Sequence, residues 1–267
     1  GVAIGVAPSP FTIDDDGSGL SNGNGDLIAN GGETLEIFVS AKNYGSEDAT
    51  NVIGYMSSTS GNVSIDTTAN MVEFGDIASG ETSNGSVPFV VVLNDGLHDG
   101  ADLDLLVTFL DSDGGSFDGI LDISVHGNQL SAIDVDVLGS ASDVLTPGES
   151  SFVKIELNNT GSTHAVSVSG TITCASPFIE ILDDNGTWVS INSGESSFNG
   201  NDYFELSALD VTIPGAIAHL IVSLETEEGY TSNSIIEVQI GEPTVNDPVG
   251  PDSYGYYIYD NEDINYV

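Results

Sequence analysis

The amino-acid sequence predicts an all-β chain made of two antiparallel β-sandwich units in tandem and an extended C-terminal tail. Three observations carry this. Apolar residues alternate with polar ones, and helical periodicity is nearly absent. Clusters of Gly, Asn, Asp and Ser punctuate the chain roughly every 8–12 residues, the spacing of short strands joined by turns. The sequence also repeats itself at an offset of 114 to 116 residues.

The alternation places strands at 34–41, 50–57, 63–65, 87–93, 103–110 and 120–126. A second series falls at 151–157, 165–173, 178–182, 203–211, 218–224 and 234–240. The repeat aligns the two series. Gly31-Gly32-Glu33 matches Pro147-Gly148-Glu149, and Asn43-Tyr44-Gly45-Ser46 matches Asn159-Thr160-Gly161-Ser162, both 116 residues apart. Phe74 and Ser79-Gly80-Glu81 match Trp188 and Ser193-Gly194-Glu195, 114 apart. The Gly-Gly-Glu and Pro-Gly-Glu turns each launch a long strand. The Asn-x-Gly-Ser turns end it, with Gly45 and Gly161 expected at positive φ. Phe74 and Trp188 read as core aromatics. The domain organisation expected is a first unit at 1–128, a second at 129–241 and a tail at 242–267. Pro243, Pro248 and Pro251 break sheet pairing early in the tail, and Tyr254-Gly255-Tyr256-Tyr257-Ile258-Tyr259 has strand propensity.

Composition narrows the function. Two lysines, Lys42 and Lys154, face 42 acids with no arginine, for a net charge of −40. Phosphate contacts need Lys and Arg, so nucleic acid and anionic lipid are excluded as partners. Such a surface attracts cations and favours a saline or calcium-containing medium, hence an extracellular or cell-surface location. No apolar run approaches the about 20 residues of a membrane helix. The lone Cys174 excludes an intrachain disulfide and reads as a small buried apolar residue. The start Gly1-Val2-Ala3-Ile4 leads us to expect a processed product or a piece of a longer chain.

The run Asn24-Gly25-Asp26, Gly31-Gly32-Glu33-Thr34-Leu35 and Lys42-Asn43-Tyr44-Gly45-Ser46-Glu47-Asp48-Ala49-Thr50-Asn51-Val52 resembles bacterial immunoglobulin-like modules of the cell-adhesion-related type. Phe74-Gly75-Asp76-Ile77-Ala78-Ser79-Gly80-Glu81 fits the same pattern. Modules of this family often follow the catalytic domain of gingipain-like cysteine peptidases and occur in other large surface proteins. The resemblance implies two tandem immunoglobulin-like antiparallel β-sandwiches without peptidase activity of their own. It also implies that the tail opens a further domain. The second unit lacks the Asn-Gly-Asp feature.

The richest candidate site is the segment from Asp14 to Glu33. Calcium takes six to eight oxygen ligands from carboxylates, amides and carbonyls. Counted from Asn22, oxygen side chains fall at positions 1, 3, 5, 9 and 12, on Asn22, Asn24, Asp26, Asn30 and Glu33. Leu27 stands where an EF-hand loop needs glycine, and no helix precedes it. The expectation is therefore a Ca2+ loop at the edge of a sandwich, with Asp14, Asp15 and Asp16 as added ligands; a solvated turn is the alternative. Asp111 and Asp113, with Asp99 in reach, form a second candidate, and Asp183-Asp184-Asn185-Gly186 a third. Both fit hairpin turns equally well.

Catalysis has little support. His98, His126, His164 and His219 show no metal spacing, and no Gly-x-Ser-x-Gly elbow is present. The reading is a non-catalytic structural or adhesion pair, a stalk or accessory region of a secreted surface protein, stabilised by Ca2+. Its partners would be other domains or subunits of a surface assembly. One alternative is a filament subunit, in which a terminal strand completes the sheet of the next copy. Val2, Ile4 and Val6 alternate at the front, and the tail tyrosines sit at the back. Another is a glycan- or protein-binding adhesin. The candidate partner-binding residues are Tyr254, Tyr256, Tyr257, Ile258 and Tyr259.

Overall fold

The computed structural model of the chain describes residues 5–250, 252 and 254–264, so Val2 and Ile4 lie outside the described residues. Among the described residues every regular element is a β-strand. The chain divides into two compact units, Gly1–Gly127 and Asn128–Val267.

The first unit contains β1 (Val6–Asp14), β2 (Ala29–Asn30), β3 (Thr34–Asn43), β4 (Ala49–Ser57), β5 (Val63–Ile65), β6 (Met71–Ile77), β7 (Thr82–Asn84), β8 (Phe89–Leu93), β9 (Leu105–Leu110), β10 (Ser116–Leu121) and β11 (Val125–His126). One sheet runs β1-β3-β8-β5 with β7 beside β3. The other runs β10-β9-β4-β6, and β2 pairs with β11 in parallel. Side chains from both sheets meet in one core: Leu35, Ile37, Phe89 and Val91 from the first, Val52, Phe74, Val107 and Phe109 from the second. This is a sandwich-like arrangement, in which alternate residues of each strand point inward.

The second unit contains β12 (Leu130–Val137), β13 (Val144–Leu145), β14 (Ser150–Asn159), β15 (Ala165–Cys174), β16 (Ile179–Asp183), β17 (Asn185–Ile191), β18 (Ser196–Phe198), β19 (Phe204–Ala208), β20 (Ala216–Glu225) and β21 (Thr231–Ile240). Its sheets run β12-β14-β19-β16, with β18 beside β14, and β13-β21-β20-β15-β17. Strand for strand this is the order of the first unit, with β21 in the place of β10 and β11. Strand β20 shows the alternation at its plainest. Ala216, Ala218, Leu220, Val222 and Leu224 are buried, and every residue between them is exposed.

The repeated residues have matched jobs. Asn43 is fully buried at the end of β3. Its Nδ2 donates to the carbonyls of Glu47 (2.7 Å) and Ile77 (3.0 Å), and its Oδ1 accepts from Gly45 N (2.9 Å). Asn159 does the same with Thr163 (2.8 Å), Ile191 (3.2 Å) and Gly161 N (3.0 Å). The Ser-Gly-Glu turn closes onto this clasp: Ser79 Oγ donates to the Gly45 carbonyl at 2.7 Å, and Ser193 Oγ to that of Gly161 at 2.6 Å. Two turns far apart in sequence are thus tied by one buried amide, which satisfies backbone groups that would otherwise be orphaned.

Gly45 and Gly161 do not take the positive φ expected of them. The Asn side chain closes the turn by accepting from the glycine N–H two residues on, which needs no left-handed residue. Positive φ falls instead at Gly32 and Gly148 (84° and 82°) and at Gly80 and Gly194 (78° and 76°). Phe74 and Trp188 are buried. Each lies over a matched glycine, Gly54 or Gly170, where a Cβ would come within 2.8 Å of the ring. Cys174 is only partly buried, at the end of β15, where Sγ accepts from Ser176 N.

Candidate functional site

The segment between β1 and β3 of the first unit is organised by two buried carboxylates. Asp15, fully buried, accepts from Gly25 N through Oδ2 (3.1 Å) and from Leu27 N through Oδ1 (3.0 Å). Glu33, 7% exposed, accepts from Asn24 N through Oε1 (3.2 Å) and from Asn30 N through Oε2 (2.9 Å). The loop from Asn24 to Asn30 is therefore gripped from both sides. Charge-assisted bonds of this kind contribute about 1.5–3 kcal/mol each.

The other expected ligands serve the loop locally. Asp14 Oδ1 accepts from Asp16 N, and Asp16 Oδ1 from Ser18 N. Asn24 Oδ1 accepts from Asp26 N, and Asp26 Oδ1 from Ile28 N. Asn24 Nδ2 donates to Asn30 Oδ1, and Asn30 Nδ2 to the His126 carbonyl. Asn22 joins the loop to β3 by a backbone bridge to Thr34. Leu27 sits at φ 66°, exposed, where an EF-hand would place glycine. Gly23 packs against the Asp15 carbonyl and Glu33 Oε1 so closely that a Cβ would lie within 3 Å of both. Among the described residues, no group of three or more His, Cys, Asp or Glu is gathered as a metal cluster. Calcium here would need amide and carbonyl oxygens beside the carboxylates.

Burial pushes the Glu33 carboxyl above its ordinary range, against the pull of the Asn30 and Asn24 N–H groups. The negative charges of Asp15 and Asp26 push it the same way. The Asp16 carboxyl is held low by hydrogen bonds from Ser18.

The second candidate is a hairpin turn between β9 and β10. Asp111 Oδ1 accepts from Asp113 N (2.9 Å) and Gly115 N (2.8 Å), and its buried Oδ2 has no partner. Asp113 is exposed. Asp99 lies elsewhere, accepting from Gly127 N. The third candidate, Asp183 to Gly186, is the turn between β16 and β17, where Asp183 accepts from Asn185 N.

In the tail, Val249 and Ile258 form a backbone bridge, and Asp252 Oδ1 accepts from Tyr254 N and Tyr256 N. This turn, with Gly255 at φ 85°, replaces the strand expected over 254–259. Tyr254, Tyr256 and Ile258 are 84%, 71% and 73% exposed, and Tyr259 42%. Tyr257 instead lines a pocket of the second unit with Phe178, Ile217 and His219. Burial, with Tyr259 beside it, pushes its hydroxyl up.

Of the three added ligands expected, Asp14 and Asp16 cap local turns, and Asp15 alone is buried against the 24–30 loop. The signal for Asp15 lies in strand parity. It follows the last residue of β1, whose inward positions alternate.

No family model and no curated protein matches this chain. Among solved structures it is similar to red sea bream transglutaminase at 12% identity and a TM-score of 0.36. The match covers 91% of this chain, which spans only 32% of that protein. It is also similar to a protein of unknown function from Porphyromonas gingivalis W83, at 12% identity and a TM-score of 0.23, covering 86% of this chain and 100% of the other. At these scores neither likeness carries an argument about fold or activity.

Proposed function

We propose that the chain is a pair of immunoglobulin-like modules serving as a non-catalytic structural or attachment part of an extracellular surface protein. The observation that carries the reading is the duplication of one strand order together with its buried-asparagine clasp. The order β1-β3-β8-β5 against β10-β9-β4-β6 corresponds to the ABED and GFCC′ sheets of that fold. One departure is that β5, at the D place, precedes β6, at the C′ place, in sequence. The residues repeated in both units hold turns and core together, which supports a scaffold role. The net charge of −40 supports a medium rich in screening cations.

The same reading gives Ca2+ to the first unit. Asp15, Asp26 and Glu33 crowd one loop, and a divalent ion bound with loop carbonyls would offset their repulsion. At the matching place the second unit has only the short connection 138–143. Strand exchange through the tail is a second reading, favoured by the exposed Val249, Tyr256 and Ile258; a filament by electron microscopy that disappears on deleting residues 254–267 would support it.

The test is to express residues 1–127 and 128–267 separately. Each folds cooperatively, and millimolar calcium raises the melting temperature of the first by about 5 °C or more while leaving the second unchanged. Failure of either half to fold alone contradicts the module reading. An equal response of both halves to calcium, or none, contradicts the ion's place.

A further inference from the structure

In the second unit, the edge strand β12 and the strand β21, whose outer side carries only the two-residue β13, belong to different sheets and are tied at one end by side-chain-to-backbone hydrogen bonds. Tyr230 Oη accepts from Leu130 N (3.1 Å), Ser232 Oγ donates to the Leu130 carbonyl (3.2 Å), and Ser234 Oγ accepts from Ala132 N (3.0 Å). Beyond these ties the strands enclose an open groove of about 490 Å³, lined by Ile133, Asp134, Val135, Asp143, Ile217, Ile235 and Glu237 among others. That volume is in the range of ligand-binding clefts, roughly 300–1,000 Å³.

The groove exposes aliphatic side chains between its polar ones. Ile133, Ile217 and Ile235 are 51%, 45% and 67% exposed, and Ile235 pairs across the ladder with Ile221, itself 42% exposed. Four isoleucines on one side of a strongly acidic unit are a patch that solubility does not ask for. The rim is anionic. Asp134 is oriented by accepting from Val135 N (2.9 Å), and Asp143 by accepting from Val137 N (3.2 Å). These bonds also occupy two backbone donors of β12, a common guard against non-specific strand pairing. Glu237 completes the rim, and no lysine or arginine lines the groove. A second copy of this chain is a poor occupant, since each carries a net charge of −40.

We propose that this groove docks an extended segment of a partner protein that alternates aliphatic side chains with lysine or arginine. The aliphatic side chains cover Ile133, Ile217 and Ile235, and the cations reach Asp134, Asp143 and Glu237. The groove lies wholly within the second unit and does not depend on calcium.

The probe is a synthetic peptide alternating lysine and valine, titrated into the full chain at physiological salt, with an alternating glutamate–valine peptide as control. The lysine peptide binds and the glutamate peptide does not. Ile235→Asp adds a negative charge, so attraction to the chain's overall charge alone would tighten binding. Docking in the groove predicts the reverse, a loss of at least about tenfold. Val189→Asp, at an 89% exposed position outside the groove, leaves binding unchanged. Ile133→Asp is the second groove variant, and circular dichroism checks that each variant is folded. No binding of the lysine peptide, or equal or tighter binding by both folded groove variants, overturns the proposal.

Discussion

Glu33 and Glu149 occupy the same place in the two units, one residue before the long strand that each Gly-Glu turn launches. One is buried and grips two backbone N–H groups; the other is exposed. The glutamate does not decide this. The connection from the first strand to the short parallel one does, running from Asp15 to Ile28 in the first unit and only from Leu138 to Asp143 in the second. The longer connection folds back over Glu33 and brings Asp15 with it. A residue kept by the repeat as a turn element thus acquires a second job where the chain supplies something to hold.

The edge between the two sheets teaches the same lesson. In the first unit the Pro8 ring sits where a side chain at Gly119 would be. Counting along the ladders, the matching residues of the second unit are Ala132 and Ser234, which hydrogen-bond. Pro8 has no N–H to satisfy, so its partner can be glycine. Ala132 has one, and Ser234 accepts it.

The sharpest test of what the units share is the clasp. Asn43→Ala and Asn159→Ala each strand buried carbonyls and an N–H, and each costs its own unit about 3 kcal/mol, read by calorimetry of the two transitions. Unequal losses would break the symmetry. What the units do not share comes next: Glu33→Ala costs about 2 kcal/mol, and Glu149→Ala stays within about 0.5 kcal/mol, both read by urea denaturation. At the sheet edge, Gly119→Ser alone overlaps Pro8 and destabilises, whereas adding Pro8→Ala recreates the pair of the second unit. A double-mutant cycle should show a favourable coupling of about 1 kcal/mol.

The smallest effect is on pH. The folded-state pKa of Glu33 is raised, so the native state holds its proton into a range where the unfolded chain has released it. The first unit therefore loses stability as pH rises from the ordinary value of 4.5 through the raised one. Glu33→Gln flattens that part of the stability curve, and a variant curve that runs parallel to wild type would show that another group is responsible.

The all-β character and the pairing of matched turns were legible because side-chain alternation and Gly-Asn-Ser punctuation are local signals. Strands β1 and β12 escaped notice for opposite reasons. Pro8 and Pro10 disguise the first, which tolerates them as an edge strand with a bulge after Ser9, and Asp134 and Asp136 dilute the second. The strand expected over 120–126 is interrupted, because the ladder breaks between β10 and β11. The loop's oxygen-rich spacing was visible, but its partners were not. Periodicity cannot say which backbone N–H groups a carboxylate will grip, and Asp15 and Glu33 each take two.

The most direct measurement is backbone amide exchange through the 24–30 loop. The account predicts slow exchange at Asn24, Gly25, Leu27 and Asn30 in the wild-type chain. Asn24 and Asn30 should lose protection in Glu33→Ala, Gly25 and Leu27 in Asp15→Ala, and none of the four in Glu149→Ala. Fast exchange at all four amides in the wild-type chain would contradict it.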